Sequence, residues 1–292
     1  MDFEAYHKIS WYPGHMLKAE RELKEKLKLI DIAVILCDAR APLSSRNHQL
    51  ETIFQNKAKL IILSKSDLAD ENQVAEWKHY FRAKGEGCIS MHHKQQKILQ
   101  KIPQLILDTA TKYRKDVQGA TTPLLRPIRA MIIGQPNVGK SSLINALIKK
   151  KRTQTGPRPG VTRHQQWVKL NDKLELMDTP GIMIPSIKTV ETGLKLALIE
   201  SLKDSIPGRD LLCEYLLHLT KQDIGLSLEH YRLKSIPQNA AEFIEEIGQK
   251  FGYLKQENEV IIDQASKRIL QDYREGLIGK ACIETAVHED PE

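Results

Sequence analysis

The segment GQPNVGKSS, residues 134–142, places a phosphate-binding loop near the middle of the chain. The pattern G-x-x-x-x-G-K-S is met by Gly134, Gly139, Lys140 and Ser141. An apolar strand pattern precedes the loop and a helical pattern follows it, which is the context that such a loop requires. The motif therefore predicts an α/β nucleotide-binding fold, but it leaves 133 upstream residues to be explained.

Each polar residue of this loop has an expected task. Lys140 should bridge the β- and γ-phosphates, and Ser141 should bind Mg²⁺. Asn137 offers a carbonyl oxygen to a monovalent cation such as K⁺, or else only forms the turn after Pro136. The remaining predicted nucleotide contacts of the loop are Val138, Gly139 and Ser142.

A D-x-x-G sequence follows in LELMDTPG, residues 174–181. We expect Asp178 to reach Mg²⁺ through water and the Gly181 N–H to sense the γ-phosphate. Between the two motifs lies a segment rich in proline and glycine, residues 153–163, which suits an order–disorder switch. Its Thr162 is the predicted Mg²⁺ and γ-phosphate contact during hydrolysis, with an ordinary solvated threonine as the alternative.

The base-reading residues are predicted upstream, because no N-K-x-D sequence follows the D-x-x-G motif. A strand pattern ends in Ser64, Lys65, Ser66 and Asp67. The Asp67 carboxylate can accept hydrogen bonds from guanine N1–H and N2–H₂, which adenine lacks, and the stem of Lys65 would lie along the base. Ser64 replaces asparagine and loses an amide that would brace the loop, so we expect lower affinity. A helix N-cap is the alternative interpretation.

One strand later, CISM leads into His92 and His93, where a backbone N–H would meet the exocyclic oxygen of guanine. No partner cluster for metal binding by this histidine pair is visible nearby in the sequence. The base-reading strands thus precede the phosphate strands along the chain. The upstream half is therefore interpreted as the back half of a permuted nucleotide-binding domain, an arrangement that folds tolerate when their termini lie close together.

The apolar patterns predict a doubly wound α/β domain with a six-stranded, mostly parallel sheet. Helices are predicted at 71–85 and 95–113, and residues 114–127 are interpreted as a connector. A hairpin turn at Asn171-Asp172 makes one sheet edge antiparallel.

The predicted domains are 1–203, which includes an N-terminal helical segment at 1–30, and an all-helical domain at 204–292. The break between them is the segment DSIPGRD, after which only helical patterns occur.

Composition limits the class of protein. Four widely spaced cysteines indicate a reducing cytosol rather than a zinc site. The apolar runs are too short to span a bilayer, and the acidic N-terminus does not resemble a secretory signal. The net charge of +7 is a weak indication of a polyanionic partner. Basic residues in the C-terminal region, available for phosphates of structured RNA, include Lys267, Arg268, Arg274 and Lys280.

Taken in this order, the motifs resemble those of the circularly permuted GTPases. WYPGHMLKA near the N-terminus and DARAPLSSRN at residues 38–47 are similar to signatures of the bacterial ribosome biogenesis GTPase A family. The resemblance implies a cytoplasmic enzyme that converts GTP to GDP with Mg²⁺ and is stimulated by K⁺, and we expect the protein to be monomeric. It also implies binding to the rRNA and ribosomal proteins of a large-subunit precursor during late maturation.

Two residues bear on how hydrolysis would occur. Ile182 follows the D-x-x-G motif where many small GTPases carry a glutamine that orients water, so intrinsic turnover should be slow without a partner. The resemblance makes His15 a catalytic candidate, with an RNA-contacting or packing histidine as the alternative. A GTP-dependent binding module without turnover is a second hypothesis, and an ATP-using enzyme is a third that Asp67 disfavours.

Overall fold

The computed structural model describes residues 25, 27–92, 94–120, 122, 124–152, 167–177, 187, 189–233 and 235–286 of the 292-residue chain. The predicted site residues His15, His93, Thr162, Asp178 and Gly181, together with Ile182, lie outside the described residues.

The predicted six-stranded sheet is confirmed. Its strands are β1 (Ile32–Asp38), β2 (Ala58–Ser64), β3 (Gly87–Ser90), β4 (Ile128–Gly134), β5 (Trp167–Asn171) and β6 (Leu174–Met177). The order across the sheet is β3-β2-β1-β4-β6-β5, and only the β5–β6 pair is antiparallel. All seven residues of β1 are buried, as expected for a central parallel strand covered on both faces.

The edge hairpin lies one residue later than its sequence indicates. Asn171 is the last residue of β5, so the turn is formed by Asp172 and Lys173 rather than by Asn171 and Asp172. The Asn171 side-chain oxygen accepts a hydrogen bond from the Lys173 N–H at 2.8 Å. An asparagine at the strand end thus stabilises the turn with its side chain, which explains why its residue type indicated a turn.

Helices cover both faces of the sheet. They are α1 (His48–Ile53), α2 (Glu71–Ala83), α3 (Gln96–Asp116) and α4 (Lys140–Arg152). The predicted helices at 71–85 and 95–113 are present, but α3 continues into the segment interpreted as a connector. No glycine or proline occurs between residue 113 and Gly119, whose φ of +64° follows the helix end.

The sheet separates two apolar layers, and alternate residues of β1 enter each one. Ile32, Val34 and Leu36 pack in the layer under α3 and α4. Ala33, Ile35 and Cys37 pack in the layer under α2. Because both faces of β1 are packed against the core, the position of the loop at its C-terminal end is fixed by close packing on both sides of the sheet.

A helical layer completes the described structure. It contains α5 (Val190–Leu198), α6 (Arg209–Thr220), α7 (Ala240–Phe251) and α8 (Ile262–Arg274). These four helices share one apolar cluster, which also contains Ala41 and Ile187 and so includes residues upstream of 204. The division into 1–203 and 204–292 stays a prediction. Within the described part of the chain, each helix is too short or too polar for membrane crossing.

Candidate nucleotide-binding site

Three strand ends meet at one edge of the sheet. Ser64 ends β2, Asp38 ends β1 and Gly134 ends β4, and β1 lies between the other two. In open α/β sheets, ligands bind in crevices outside the carboxyl ends of the strands. This edge therefore brings together the predicted base-reading and phosphate-binding loops.

The phosphate loop requires glycine where it passes β1. A Cβ atom on Gly134 would lie 2.6 Å from the Leu36 carbonyl oxygen and 3.0 Å from Val138 Cγ2. Asn137 and Gly139 take left-handed φ values of +58° and +98°, which turn the backbone before α4 begins. The loop thus owes its shape to backbone conformations that few other sequences allow.

Lys140 is buried beneath this loop, as expected for a residue that would bind phosphates from inside it. Its Nζ donates hydrogen bonds to the carbonyl oxygens of Gly134 at 3.0 Å and Gln135 at 2.5 Å. The ammonium group is therefore fixed at the C-terminal end of β4. Ser141 and Ser142 follow in the first turn of α4, where the helix dipole favours anions.

The outer part of the loop is attached to the helical layer. The Asn137 side-chain nitrogen donates to the Glu200 carbonyl oxygen at 2.9 Å, and Ser201 Oγ donates to the Pro136 carbonyl oxygen at 2.9 Å. The Asn137 bond uses the amide nitrogen, so it remains compatible with the predicted cation role of the side-chain oxygen. It also shows a structural role that the sequence did not indicate.

The base-reading loop leaves β2 through a left-handed residue, Lys65, with φ +53°. A short 3₁₀ turn follows at Ser66–Leu68 and contains Asp67. The Ser66 N–H donates to the Met91 carbonyl oxygen at 3.2 Å, which joins this loop to the end of β3. The N-cap of α2 is Asp70, so the helix-cap interpretation of Asp67 is wrong.

Ser64 corrects one sequence-based expectation. Its hydroxyl lies 2.6 Å from the Val138 carbonyl oxygen and 3.0 Å from the Cys37 carbonyl oxygen, and it is buried. A hydroxyl donates one hydrogen bond, and the shorter contact reaches the phosphate loop. The expected loss of a brace is therefore wrong, because serine supplies one with its oxygen.

One crevice joins the two predicted halves of the site. A cavity of about 330 Å³ is lined by Ser64, Lys65, Asp67 and His92 on one side and by Val138, Gly139 and Ser142 on the other. A second, more polar cavity of about 670 Å³ shares Asp67 and His92 and extends to Glu275 and Lys280 of the C-terminal region. The backbone N–H of His92 donates to Gln95 Oε1 at 3.2 Å, so that predicted guanine donor is already engaged.

A buried ionic cluster lies behind Lys65. Both oxygens of Asp38 bind the Arg40 guanidinium at 2.9 Å, and Lys65 Nζ lies 3.1 Å from Asp38 Oδ2. Burial would raise the pKa of Asp38, but the charges of Arg40 and Lys65 outweigh it and lower the pKa from 3.8 to about 2. The sequence contained a signal for this cluster, since Asp38 and Arg40 come at and just after the end of an otherwise apolar strand.

Comparisons with known proteins agree with this geometry. Residues 29–188 match the family model described as RsgA GTPase, and residues 129–253 match the one described as 50S ribosome-binding GTPase. Ribosome biogenesis GTPase A of Bacillus cereus is 40% identical over 279 residues, covering 95% of this chain and 94% of that protein. Mitochondrial ribosome-associated GTPase 1 of Mus musculus is 31% identical and covers 94% of this chain and 89% of its own length.

A solved structure shares the fold. GNP-bound YlqF from T. maritima has a TM-score of 0.68 and 26% identity, covering 92% of this chain and 98% of that one. The order of the strands that carry the two predicted motifs, the crevice that those motifs share and these similarities lead to one assignment. The chain belongs to the ribosome biogenesis GTPase A family of circularly permuted GTPases and is a GTP-hydrolysing enzyme.

Proposed function

We propose that this GTPase is an assembly factor that acts late in maturation of the large ribosomal subunit, and that the ribosomal particle stimulates its hydrolysis. The observation that carries the nucleotide chemistry is the crevice of about 330 Å³ shared by Asp67 and Gly139. The names of the relatives, which include ribosome biogenesis GTPase A and a mitochondrial ribosome-associated GTPase, support a ribosomal partner.

In this proposal the crevice binds GTP with its base against Lys65 and Asp67 and its phosphates over Gly139. Lys140 Nζ binds the carbonyl oxygens of Gly134 and Gln135 in the same loop, and a bound phosphate group would draw this ammonium towards itself. Ser141, Thr162 and Asp178 would complete a Mg²⁺ site, and a bound Mg²⁺ would neutralise charge on the β- and γ-phosphates. Asn137 Oδ1 would bind K⁺ beside them, and His15 would act near the γ-phosphate.

The helical layer is the proposed site of rRNA contact, although two of its basic residues already pair with groups inside the protein. Arg274 Nη2 donates to the Ala197 carbonyl oxygen at 2.9 Å and to Asp204 at 2.6 Å, and Arg268 pairs with Asp272 at 2.8 Å. Lys267 and Lys280 are exposed and remain candidates for phosphate contact. We propose a monomeric cytoplasmic protein that leaves the particle after hydrolysis.

The test is phosphate release by the purified protein alone, with purified large ribosomal subunits and with deproteinised rRNA. A partner that supplies a missing catalytic charge accelerates hydrolysis by about 10³-fold or more, so a clear increase with subunits is expected. Lys140→Ala should abolish release under every condition, whereas Lys173→Ala, an exposed hairpin lysine, should not. Equal rates with and without subunits would contradict stimulation.

Two further arms address the proposed site residues. His15→Ala should lose the stimulated rate while keeping GDP binding, and full stimulation in that variant would remove His15 from catalysis. Replacing K⁺ by Na⁺ should slow release if Asn137 binds the cation. Binding to subunits should weaken steeply with added salt if rRNA phosphates are the main contact, and salt-independent binding would indicate a protein surface instead.

A further inference from the structure

We propose that Arg40 couples the helical layer to the base end of the nucleotide site, by holding Asp38 in the position from which Asp38 orients Lys65. The inference rests on the proposed role of Lys65 and Asp67 in binding the guanine base. It makes Asp38 and Arg40 positioning residues, and it makes guanine-nucleotide affinity sensitive to how the helical layer sits on the sheet.

The first step is the geometry around Asp38, whose side chain is fully buried. Oδ1 accepts hydrogen bonds from the Arg40 N–H at 3.1 Å and Nε at 2.9 Å. Oδ2 accepts one from Arg40 Nη2 at 2.9 Å and lies 3.1 Å from Lys65 Nζ. Because Arg40 fixes both oxygens, it also fixes the point at which the Lys65 ammonium is held.

The second step is the restraint on the Lys65 side chain. Lys65 combines a left-handed backbone with an ammonium bound to a buried carboxylate, so both ends of its aliphatic stem are fixed. The stem lines the crevice beside Asp67. A displaced Asp38 would therefore move the surface on which the base rests, while leaving the phosphate loop in place.

The third step is the contact between Arg40 and the helical layer. The guanidinium carbon lies 5.5 Å from the centre of the Tyr273 ring of α8, and Arg40 is 1% exposed. Nη1 of Arg40 has no hydrogen-bond partner within the described residues, so its charge is stabilised mainly by this ring and by Asp38. The Ile283 N–H also donates to the Arg40 carbonyl oxygen at 2.7 Å.

The segment after α8 reinforces this connection. The carboxylate of Glu284 accepts hydrogen bonds from the backbone N–H groups of Leu43 at 2.7 Å and Ser44 at 3.0 Å. The Cys282 N–H donates to Gln73 Oε1 at 2.7 Å. The loop after β1 is thus bonded both to its own strand and to the helical layer. A shift of that layer would therefore displace Arg40, which contacts it directly. By linkage, a partner that moves the layer changes nucleotide affinity, and nucleotide changes partner affinity equally.

The experiment is a double-mutant cycle read by the Kd of a fluorescent GDP analogue in the full chain. Tyr273→Leu removes the ring from Arg40 and should raise the Kd about three- to tenfold, in the lower part of the range for residues in contact. The same change in a Lys65→Met background should have no further effect, because the oriented ammonium is already absent. In the Tyr273→Leu variant alone, the KM for GTP should rise while kcat at saturating GTP stays unchanged.

Matched variants separate coupling from general destabilisation. Tyr273→Phe keeps the ring and should bind GDP as the wild type does, since the Tyr273 hydroxyl has no hydrogen-bond partner among described residues. Tyr231→Leu removes another buried ring of the same layer, one that packs on Phe243, and should lower the unfolding temperature without changing the Kd. Arg40→Lys tests the same link from the other side and should raise the Kd even if Tyr273→Leu folds poorly.

Equal increases in Kd for Tyr273→Leu and Tyr231→Leu would overturn the coupling, as would an unchanged Kd for Arg40→Lys. An effect of Tyr273→Leu that persists fully in Lys65→Met would overturn it as well. These results would leave the proposed function intact provided that the wild type binds GDP and Lys140→Ala does not. A wild type that fails to bind GDP would instead contradict the proposed function itself.

Discussion

The two ends of the nucleotide crevice are held by different kinds of interaction. At the end proposed to bind the base, charged side chains fix the loop: the buried Asp38 carboxylate binds Arg40 at 2.9 Å and Lys65 at 3.1 Å. At the phosphate end, backbone geometry decides the shape, with Gly134 pressed against Leu36 and Gly139 in a left-handed conformation.

This difference indicates where other parts of the chain can act on the site. Distant residues have little effect on a loop that is shaped by glycine, because its conformation is set locally by φ and by close backbone contact. A buried ion pair depends on everything that packs on it, including residues far away in sequence such as Tyr273. The comparison predicts that substitutions at the base end change stability and base preference, whereas those at the phosphate end weaken all nucleotides alike.

The largest expected effect is that of Asp38→Asn, which leaves the Arg40 charge buried without its anion. Removing one partner of a buried pair costs about 3–5 kcal/mol, so the free energy of unfolding measured in urea at neutral pH should fall by that amount. Asp172→Asn, at a 96% exposed carboxylate paired with Lys169, is the matched control and should change little.

The same variant gives a pH test. The pKa of Asp38 is lowered from 3.8 to about 2, so its ionised form contributes stability above pH 3.8 that is lost as the pH falls towards 2. The stability difference between wild type and Asp38→Asn should therefore shrink by about 2 kcal/mol across that window. A difference that stays constant on acidification would mean that the carboxylate charge does not stabilise the fold.

Next in size is a change of base preference. Asp67→Asn replaces an acceptor of guanine N–H groups by an amide that can donate to the 2-oxygen of xanthine, so the ratio of XDP to GDP affinity should rise about 100-fold. Asp70→Asn is the control, since asparagine also caps α2 and should leave the preference unchanged. Equal loss of XDP and GDP binding by Asp67→Asn would place Asp67 away from the base.

Gly134→Ala should weaken both nucleotides together. Its Cβ would lie 2.6 Å from the Leu36 carbonyl oxygen, so β1 or the loop must move, at a cost of about 1–3 kcal/mol. Gly87→Ala in β3 provides a control, because its Cβ would meet Leu60 Cδ1 at an ordinary 3.4 Å. A selective loss of GDP over XDP by Gly134→Ala would contradict the separation of the two ends.

The smallest effect is expected where the two ends touch. Ser64→Ala removes the hydroxyl that contacts the Val138 carbonyl oxygen at 2.6 Å and should lower the unfolding free energy by about 1 kcal/mol. Thr109→Ala removes a comparable hydroxyl bond inside α3, to Leu105, and serves as the control for GDP binding. A weaker GDP affinity in Ser64→Ala, but not in Thr109→Ala, would show that the hydrogen bond from Ser64 to Val138 acts on the nucleotide site.

Much of the fold follows from patterns within single elements. The apolar runs predicted the parallel strands, because strands buried on two faces leave little choice of residue type, and the turn residues after β5 predicted the antiparallel edge pair. The limits of α3 and of the hairpin turn were missed by one to a few residues, since helix ends depend on local competition that propensity does not resolve.

The site was predictable only where one loop carries the function. Gly134 to Ser142 and Ser64 to Asp67 form motifs with fixed spacing, and each motif contributes three residues to the lining of the crevice, although Lys140 and Ser141 are not among them. The contact of Arg40 with Tyr273 joins parts of the chain with no shared pattern, so nothing short of the tertiary structure brings them together. The sequence predicted a cation-binding role for the side-chain oxygen of Asn137. It gave no sign that the side-chain nitrogen donates a hydrogen bond to the carbonyl oxygen of Glu200, 63 residues away.

The bond between Glu284 and Leu43 also has a consequence for how the protein is made. The two residues are 241 positions apart in the sequence, so the loop after β1 cannot form this bond until most of the chain, including Glu284, has been synthesised. At about 5–20 residues per second, the roughly 107 residues between Met177, the end of β6, and Glu284 take about 5–20 seconds, during which a nascent chain can hold a formed sheet while the loop after β1 still lacks this bond. We therefore expect a polypeptide truncated before Glu284 to keep its phosphate loop, to lack this bond and to bind nucleotide less tightly than the full chain.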